Sequence, residues 1–325
     1  MEKTKIKVLD LFSGIGGFHL GLEKAGFEVE SYFSEIDKYA IDVYSNNFKN
    51  STYVGSVTDV RGGDLPNIDA ITFGSPCQDF SLAGNRKGLG GERSSLIGEA
   101  IRLIGEKRPR FFIWENVKGT FSSNNRQDFA AILQAFTNIG GYRLEWQLLN
   151  TKWFLPQNRE RIYLVGYLAN GSGGQVFPIG ESGESTDELQ GQQGSACTVL
   201  ARYEAGANGS YVVEYKQPSQ ETKILGYTRD AKGNVTNRSL KDECNTLHSS
   251  SGQGGNTDQF IKQGRIRRLT PIECERLQGF PDNWTAMGKE MGDISDTQRY
   301  KMCGNAVTVD VVAAVAKNIK EVVYG

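Results

Sequence analysis

Two short segments carry the residues best suited to chemistry, Gly74-Ser75-Pro76-Cys77-Gln78 and Trp114-Glu115-Asn116-Val117. Each follows a short apolar run, Asp69-Ala70-Ile71-Thr72-Phe73 for the first and Phe111-Phe112-Ile113 for the second. Runs of that length and type predict buried parallel strands. The carboxyl ends of such strands lie along one edge of an open α/β sheet, where ligands bind. A thiol and a carboxylate therefore reach one crevice from two strands. The pair suits a reaction in which sulfur adds to an electron-poor ring while a carboxyl group manages charge on a ring nitrogen. Pro76 ends its strand, and Gln78-Asp79-Phe80-Ser81 is too polar to continue a core, which separates Cys77 from cysteines that merely pack. A nucleophilic thiol needs cations nearby. Arg159 and Arg161, in Pro156-Gln157-Asn158-Arg159-Glu160-Arg161, alternate at strand spacing, so both can face the crevice. A carboxyl group such as that of Glu115, shielded from water, can share a proton with a ring nitrogen.

These residues need a scaffold, and the chain supplies one. Residues 6–167 read as alternating strands and helices. Ile6–Phe12 is a strand, Gly17–Ala25 a helix ended by Gly26, Val29–Phe33 a strand and Asp37–Asn46 a helix. The run at 69–73, a helix near 94–106, the run at 111–114 and a helix near 126–138 follow. Leu144–Leu149 and Arg161–Gly166 close the series. Such alternation predicts a doubly wound, mostly parallel sheet with helices on both faces. From Asn170 to Ala196 the chain is rich in Gly, Ser and Gln without helical period, and 197–262 reads as short strands and turns. A weak echo there, Cys197–Leu200 leading to Tyr211-Val212 and Cys244–Leu247 leading to Phe260-Ile261, suggests two hairpin-like units. Thr270–Leu277 reads as a helix with a Thr cap and Pro at its first position. A last helix, Val309–Val323, is apolar enough to return to the sheet, making the smaller domain an insertion.

The turn Asp10-Leu11-Phe12-Ser13-Gly14-Ile15-Gly16-Gly17 joins the first strand to the first helix. Glycines let it pass close to a ligand and let the helix pack on the strand. Glu35, just past the second strand, can accept both ribose hydroxyls of a nucleoside. The turn lacks the full G-x-G-x-x-G spacing of a dinucleotide site. Bulky Phe12 and His19 around it favour a ligand without a pyrophosphate, such as S-adenosylmethionine, over the nicotinamide cofactor of an oxidoreductase.

With 325 residues the chain suits two unequal domains. Its net charge of -1 neither requires nor excludes nucleic acid, because a local basic groove suffices. The five cysteines have no Cys-x-x-Cys spacing. With no secretory signal at the N-terminus and no stretch of membrane-span length, they point to a reducing cytoplasm without disulfides. Two histidines, His19 and His248, make a histidine-rich zinc site or a Ser-His-Asp hydrolase hard to build.

The segments Asp10–Gly17, Gly74–Ser81, Trp114–Val117, Gln157–Gly166, Arg267–Pro281 and Gly304–Val307 together resemble, in order, the motifs of a cytosine-5 DNA methyltransferase of the compact bacterial or phage type. They span nearly the whole chain except 168–262. The resemblance implies the S-adenosylmethionine-dependent methyltransferase fold, with a catalytic and cofactor-binding domain at 1–168 and 297–325, a target-recognition domain at 169–281 and a hinge at 282–296. It implies that Cys77 attacks carbon 6 of a cytosine flipped out of duplex DNA. Glu115 would hold N3 and the exocyclic amine, Arg161 would orient the base and favour the thiolate, and Arg159 would support it. No metal is required. The cofactor positions it implies are Phe12, Ser13, Gly14, Gly17, Glu35, Ile36, Ser56, Val57, Pro76, Leu96 and Asn305. At Ser56 the family usually has an aspartate for the adenine amine, a contact that either the serine hydroxyl or Asp59 would take here, and at Ile36 often a tryptophan. Both departures bear on cofactor affinity more than on reaction type.

On the DNA side, Gln78–Ser95 resembles the family's mobile catalytic loop, in which Gln78, Ser81, Arg86, Lys87 and Arg93 would meet the duplex. Thr246-Leu247 matches a short signature of the recognition region. Arg265, Arg267 and Arg268 form the densest basic cluster, suited to backbone contact, and Arg202, Arg229 and Arg238 are candidates for reading guanine. The partner implied is double-stranded DNA, bound by a monomer, with a cognate restriction endonuclease as a functional counterpart rather than a complex. Three alternatives stay open on sequence alone: a tRNA cytosine methyltransferase, a DNA-binding relative without catalysis, and an NAD oxidoreductase.

Overall fold

The computed structural model describes residues 3–75, 96–122, 127–168, 174–180, 196–197, 211–215, 223–229, 235–241 and 264–325. The chain divides into two compact units, one of residues 1–149, 160–182 and 311–325, the other of residues 150–159 and 183–310. Along the chain come β1 (Thr4–Leu11), α1 (Gly17–Lys24), β2 (Phe27–Ser34), α2 (Lys38–Asn47), β3 (Ser51–Tyr53), β4 (Ala70–Gly74), α3 (Leu96–Lys107) and β5 (Phe111–Val117). Next are α4 (Gly119–Ser122), α5 (Gln127–Asn138), β6 (Tyr142–Asn150), β7 (Gln157–Asn158) and β8 (Glu160–Leu168). They are followed by β9 (Ala196–Cys197), β10 (Tyr211–Tyr215), β11 (Lys223–Arg229), β12 (Val235–Lys241) and β13 (Gly264–Arg268). The chain closes with α6 (Pro271–Leu277), β14 (Met287–Gly288), β15 (Gly292–Asp293), α7 (Asp296–Asn305) and α8 (Val309–Tyr324).

The first unit is built on a seven-stranded sheet in the order β3-β2-β1-β4-β5-β8-β6. β1 pairs in parallel with β2 and β4, β2 with β3, and β4 with β5, whereas β8 runs antiparallel to β5. The expected doubly wound, mostly parallel sheet is therefore present. Alternation along the strands sorts side chains to its two faces. One face carries Leu9, Leu11, Ile71, Phe73, Phe112 and Trp114 into a core completed by Ile104, Ile132 and Phe136 of α3 and α5. On the other, Tyr324 of α8 meets Phe27 and Phe111 edge-on, and Lys320 Nζ donates to the Gly26 carbonyl at 2.8 Å. Each large side chain taken fully out of water contributes about 1.5–3 kcal/mol. That burial, more than hydrogen bonding, fixes the strand edge on which the site stands.

In the second unit β10 to β13 form an antiparallel sheet in the order β12-β11-β10-β13. Among the described residues Ala196-Cys197 pairs in parallel with Gln157-Asn158, and β10 pairs with β11 and β13, while Thr198–Leu200 of the first expected hairpin lie outside them. The remaining part of the echo lies outside the described residues. α6 starts as its sequence predicts, with a Thr270 cap and Pro271 at its first turn, and Glu273 makes the cap reciprocal: Glu273 N donates to Thr270 Oγ1 and Thr270 N to Glu273 Oε2. α7 and β3 were not anticipated. Among the described residues no helix is long and apolar enough to cross a membrane.

Candidate active site

Construction of the site begins at the end of β1. Phe12, Gly14 and Gly16 all have positive φ, at 52°, 53° and 86°. The turn is held by Ser13 N donating to the Ser34 carbonyl at 3.1 Å and Gly16 N to the Ser13 carbonyl at 3.0 Å. At Gly16 a side chain is impossible without rearrangement, because a Cβ there would lie 2.2 Å from Phe48 Cε2. Gly14 has the opposite environment. A Cβ at Gly14 would meet nothing within 4 Å, so the backbone there faces open space. Beside it, Ser13 Oγ is buried with no hydrogen-bond partner among the described residues.

Glu35 ties this turn to the next strand. Its Oε2 accepts from Gly14 N at 2.9 Å, and its Oε1 accepts from Ile36 N at 2.7 Å and Asp37 N at 3.0 Å. Asp37 in turn caps α2, accepting from Tyr39 N at 2.9 Å. Tyr53 Oη donates to the Glu35 carbonyl at 2.9 Å, a link across β2 and β3 that sequence reading did not find. Ile36 is 81% exposed. Ser56 Oγ and Thr58 Oγ1 share a hydrogen bond at 3.0 Å just past Gly55, whose carbonyl accepts from Ser34 Oγ at 2.8 Å. Val57 is buried in the sheet core, and Leu96, the first residue of α3, packs against the same core. Gly17 opens α1. Phe12, Ser13, Gly14, Gly17, Glu35, Ile36, Ser56 and Val57 thus gather along the carboxyl ends of β1, β2 and β3. Asn305 is exposed at the last position of α7 in the second unit.

His19 does not line the turn. It is 2% exposed, stacks on Phe48 at 3.7 Å between ring centroids and lies 3.0 Å through Nδ1 from Tyr44 Oη. Tyr44 Oη reaches Asp10 Oδ2 at 3.3 Å, and Thr72 Oγ1 donates to Asp10 Oδ1 at 2.8 Å. Asp10 is wholly buried, and burial pushes its carboxyl up to about 8. The Thr72 and Tyr44 bonds oppose the rise, and Glu35 adds to it.

The carboxylate singled out from the sequence sits inside β5, which continues through Glu115 and Asn116 to Val117. Glu115 is opposite Gly74 of β4 on one side and Tyr163 of β8 on the other. Arg161 is two residues from Tyr163 and so shares the face of Glu115. Its Nε is 3.1 Å from Glu115 Oε1, with the two side chains 12% and 10% exposed. The guanidinium N–H is not directed at that oxygen, which is buried with no hydrogen-bond donor among the described residues. Glu115 is thus charge-compensated while one oxygen keeps its acceptor capacity.

Asn116, unassigned in sequence reading, fixes the neighbouring segment. Its Nδ2 donates to the Ser75 carbonyl at 3.1 Å, and Trp114 Nε1 donates to Ser75 Oγ at 3.0 Å. Asn116 Oδ1 accepts from Val117 N at 2.8 Å and Thr120 Oγ1 at 3.1 Å. The signal was the Glu-Asn pair itself, since an amide can bridge two backbone segments where an apolar residue cannot.

The two arginines have different fates. Arg159, in the second unit, is 3% exposed and donates through Nη2 to the Ala306 carbonyl at 2.9 Å. Arg161, in the first, meets Glu115. Arg265, Arg267 and Arg268 lie on β13, in register with Glu214, Val212 and Tyr211 of β10. Pro76, Cys77, Gln78, Ser81, Arg86, Lys87, Arg93 and Thr246 lie outside the described residues. Cys274 and Cys303 are free and buried, and burial pushes the Cys274 thiol up to about 12 and the Cys303 thiol well above its ordinary range. Burial makes both poor nucleophiles.

Residues 6–321 match the family profile described as C-5 cytosine-specific DNA methylase. The chain is 34% identical over 318 residues to Type II methyltransferase M.NlaX of Neisseria lactamica, covering 97% of this chain and 96% of that one. It is 32% identical to Type II methyltransferase M.Bsp6I of a Bacillus species, covering 97% and 98%. Among solved structures, the Dnmt2 methyltransferase of S. pombe superposes with a TM-score of 0.65 at 20% identity, covering 97% and 98%, a likeness of fold.

Proposed function

The chain belongs to the C-5 cytosine-specific DNA methylase family and is a DNA cytosine-5-methyltransferase, and from that premise we propose that it works through a covalent Cys77 adduct on a cytosine turned out of duplex DNA. The observation that carries this reading is the buried Glu115 Oε1, charge-compensated by Arg161 yet without a hydrogen-bond donor among the described residues. Such an oxygen suits the exocyclic amine of a cytosine, while the second oxygen shares a proton with ring N3. Gly74, paired with Glu115, precedes Cys77 by three residues. A tether of at most about 11 Å supports thiol and carboxylate serving one base.

In the first step Cys77 Sγ bonds to carbon 6, and the electron pair of the 5,6 double bond moves onto carbon 5 as Glu115 holds the proton at N3. Arg161 keeps the carboxylate in place and favours the thiolate. After carbon 5 is methylated, its proton leaves to a base, the carbon–sulfur bond breaks and the double bond returns. Unstacking the base costs a few kcal/mol, offset by contacts in the pocket.

The cofactor fits the turn. S-adenosylmethionine, when bound, supplies an electrophilic methyl group on its sulfonium. Glu35 would hold the ribose hydroxyls, Phe12 and Ile36 the adenine, and the Ser13 hydroxyl, without a partner among the described residues, and the open Gly14 backbone suit the polar end of such a ligand. Ser56 would take the adenine amine. In this reading residues 169–281 recognise the target sequence and 282–296 form a hinge. The protein acts as a monomer in the cytoplasm, and its Type II relatives support a role in restriction–modification.

The test is transfer of labelled methyl groups from S-adenosylmethionine to mixed-sequence duplex DNA and, in parallel, to tRNA. Label at carbon 5 of cytosines within one short DNA motif, abolished in Cys77→Ser with cofactor binding retained, is the expected result. Label in tRNA alone would overturn the substrate. A Cys77→Ser variant that still turns over would overturn the covalent step.

A further inference from the structure

Tyr44 stands among Asp10, His19 and the hydroxyl of Ser31, which can donate to it, and has one proton of its own to give. Its Oη is 3.3 Å from Asp10 Oδ2 and 3.0 Å from His19 Nδ1, and burial holds the phenol well above its ordinary range, so the hydroxyl stays protonated. A hydroxyl donates once. If Tyr44 donates to an ionised Asp10, it must accept from a protonated His19 Nδ1. The other ring nitrogen, Nε2, is 3.5 Å from Glu23 Oε1. That nitrogen would then either turn a lone pair on a carboxylate or carry a second proton as a buried imidazolium. If Asp10 instead carries a proton and donates it to Tyr44, every contact is satisfied: Tyr44 donates to Nδ1, and Nε2–H faces Glu23. The second arrangement leaves no ionised group inside.

The surroundings of Asp10 favour it as well. Thr72 of β4 and Tyr44 of α2 are its hydrogen-bond partners, and both are neutral hydroxyls. The charged group that acts on it is Glu35, beyond β2, and that is a second carboxylate. Beyond Tyr44, His19 and Glu23 of α1 are the next titratable groups among the described residues. Asp10 lies two residues before Phe12, and Glu35 holds Gly14 on the far side of the same turn. An ionised Asp10 would therefore set two carboxylates at the two ends of one five-residue turn.

We propose that Asp10 is a positioning residue of the cofactor turn that works as a neutral acid, its proton kept by the Tyr44–His19–Glu23 chain, and that ionising it loosens the turn and weakens cofactor binding. The binding part rests on the cofactor reading above. The carboxyl is held up to about 8 by burial, so the loss falls on the alkaline side.

Two measurements decide it. Infrared spectra of the whole wild-type protein should show a protonated carboxylic acid band in neutral solution that fades as pH rises through about 8, and that is missing from Asp10→Asn at every pH. Absence of the band in neutral wild-type protein would overturn the proposal, and this reading needs no variant to fold. Binding of S-adenosylhomocysteine, followed by calorimetry from about pH 6 to 9, should then weaken in wild type about tenfold relative to Asp10→Asn by the alkaline end. The ligand's own titration is common to both proteins. Parallel profiles in the two proteins would overturn the coupling of Asp10 to the turn. No binding by either protein at any pH would instead overturn the cofactor reading, with the infrared band still judging the proton.

Discussion

Glu115 on β5 and Arg161 on β8 are diagonal neighbours across an antiparallel pair, with Oε1 and Nε 3.1 Å apart and both side chains nearly out of water. Two charges in that position stabilise little as a pair, because desolvation offsets their attraction, but losing one partner strands the other. Arg161→Ala should therefore cost about 3–5 kcal/mol of stability, measured as a shift of the urea midpoint at constant slope. A midpoint shift under about 1 kcal/mol would mean that water reaches Glu115 and that the pair is a surface one.

Glu115→Gln separates chemistry from scaffold. The amide keeps the shape and one acceptor oxygen but cannot share a proton with a ring nitrogen. Methyl transfer should fall about 100-fold or more, the range lost with a general acid–base group, while S-adenosylhomocysteine affinity stays within about threefold. Equal losses in both would place Glu115 in the cofactor site instead.

Gly16 is held by two independent constraints, a positive φ of 86° and the Phe48 ring where a Cβ would stand. Gly16→Ala should destabilise by about 2–4 kcal/mol, combining backbone strain with overpacking. Replacing Phe48 by leucine in the same chain should return part of that loss, since it relieves the collision and leaves the strain. A double variant no more stable than Gly16→Ala would show that the backbone conformation carries the whole cost.

How far these residues were legible beforehand depended on whether their partners were close in sequence. β1, β4 and β5 showed as apolar runs, and the glycine turn and Glu115 stood at their ends. The cap of α6 was readable because Thr270 and Pro271 are adjacent. β3 was not, since three residues with Thr52 and Tyr53 exposed present no buried alternation. α7 was missed because its buried residues, Met302, Cys303 and Gly304, crowd its last turn and leave no apolar stripe along it. Asp10 read as part of a ligand turn. Its role as a buried acid depends on Tyr44, 34 residues away, and Thr72, 62 residues away, which only the folded sheet brings together. Arg159 and Arg161 looked equivalent by spacing, but β7 ends at Asn158 and β8 starts at Glu160, and the break sends them to different partners.

Glu35 accepts three backbone N–H bonds, from Gly14, Ile36 and Asp37. A charged acceptor is worth about 1.5–3 kcal/mol per strong hydrogen bond, so removing the charge loosens the turn that Glu35 holds and weakens any ligand whose hydroxyls it receives. Glu35→Gln should weaken S-adenosylhomocysteine binding about 10- to 100-fold, and turnover at saturating S-adenosylmethionine should change much less. A fall in saturated turnover with affinity unchanged would place Glu35 with the reacting atoms rather than the nucleoside.

Asp10 also sets a direction for stability against pH. In the unfolded chain its carboxyl returns to the ordinary value of 3.8, and in the folded protein burial raises it to about 8. Between those values the folded state holds one proton more than the unfolded state, so stability falls as pH rises. The slope from this one group is about 1.4 kcal/mol per pH unit at most, fading above the folded value, where both states have lost the proton. The contribution is thus fully present below the unfolded value and gone above about 8. Most carboxylates act in the opposite sense, gaining stability as they ionise beside a cation, so the difference between wild type and Asp10→Asn isolates the group. Urea titrations across that range should show the wild-type protein losing stability relative to Asp10→Asn as pH rises. A difference that stays constant with pH would mean that Asp10 is ionised in the folded protein and that the buried chain carries its charge elsewhere.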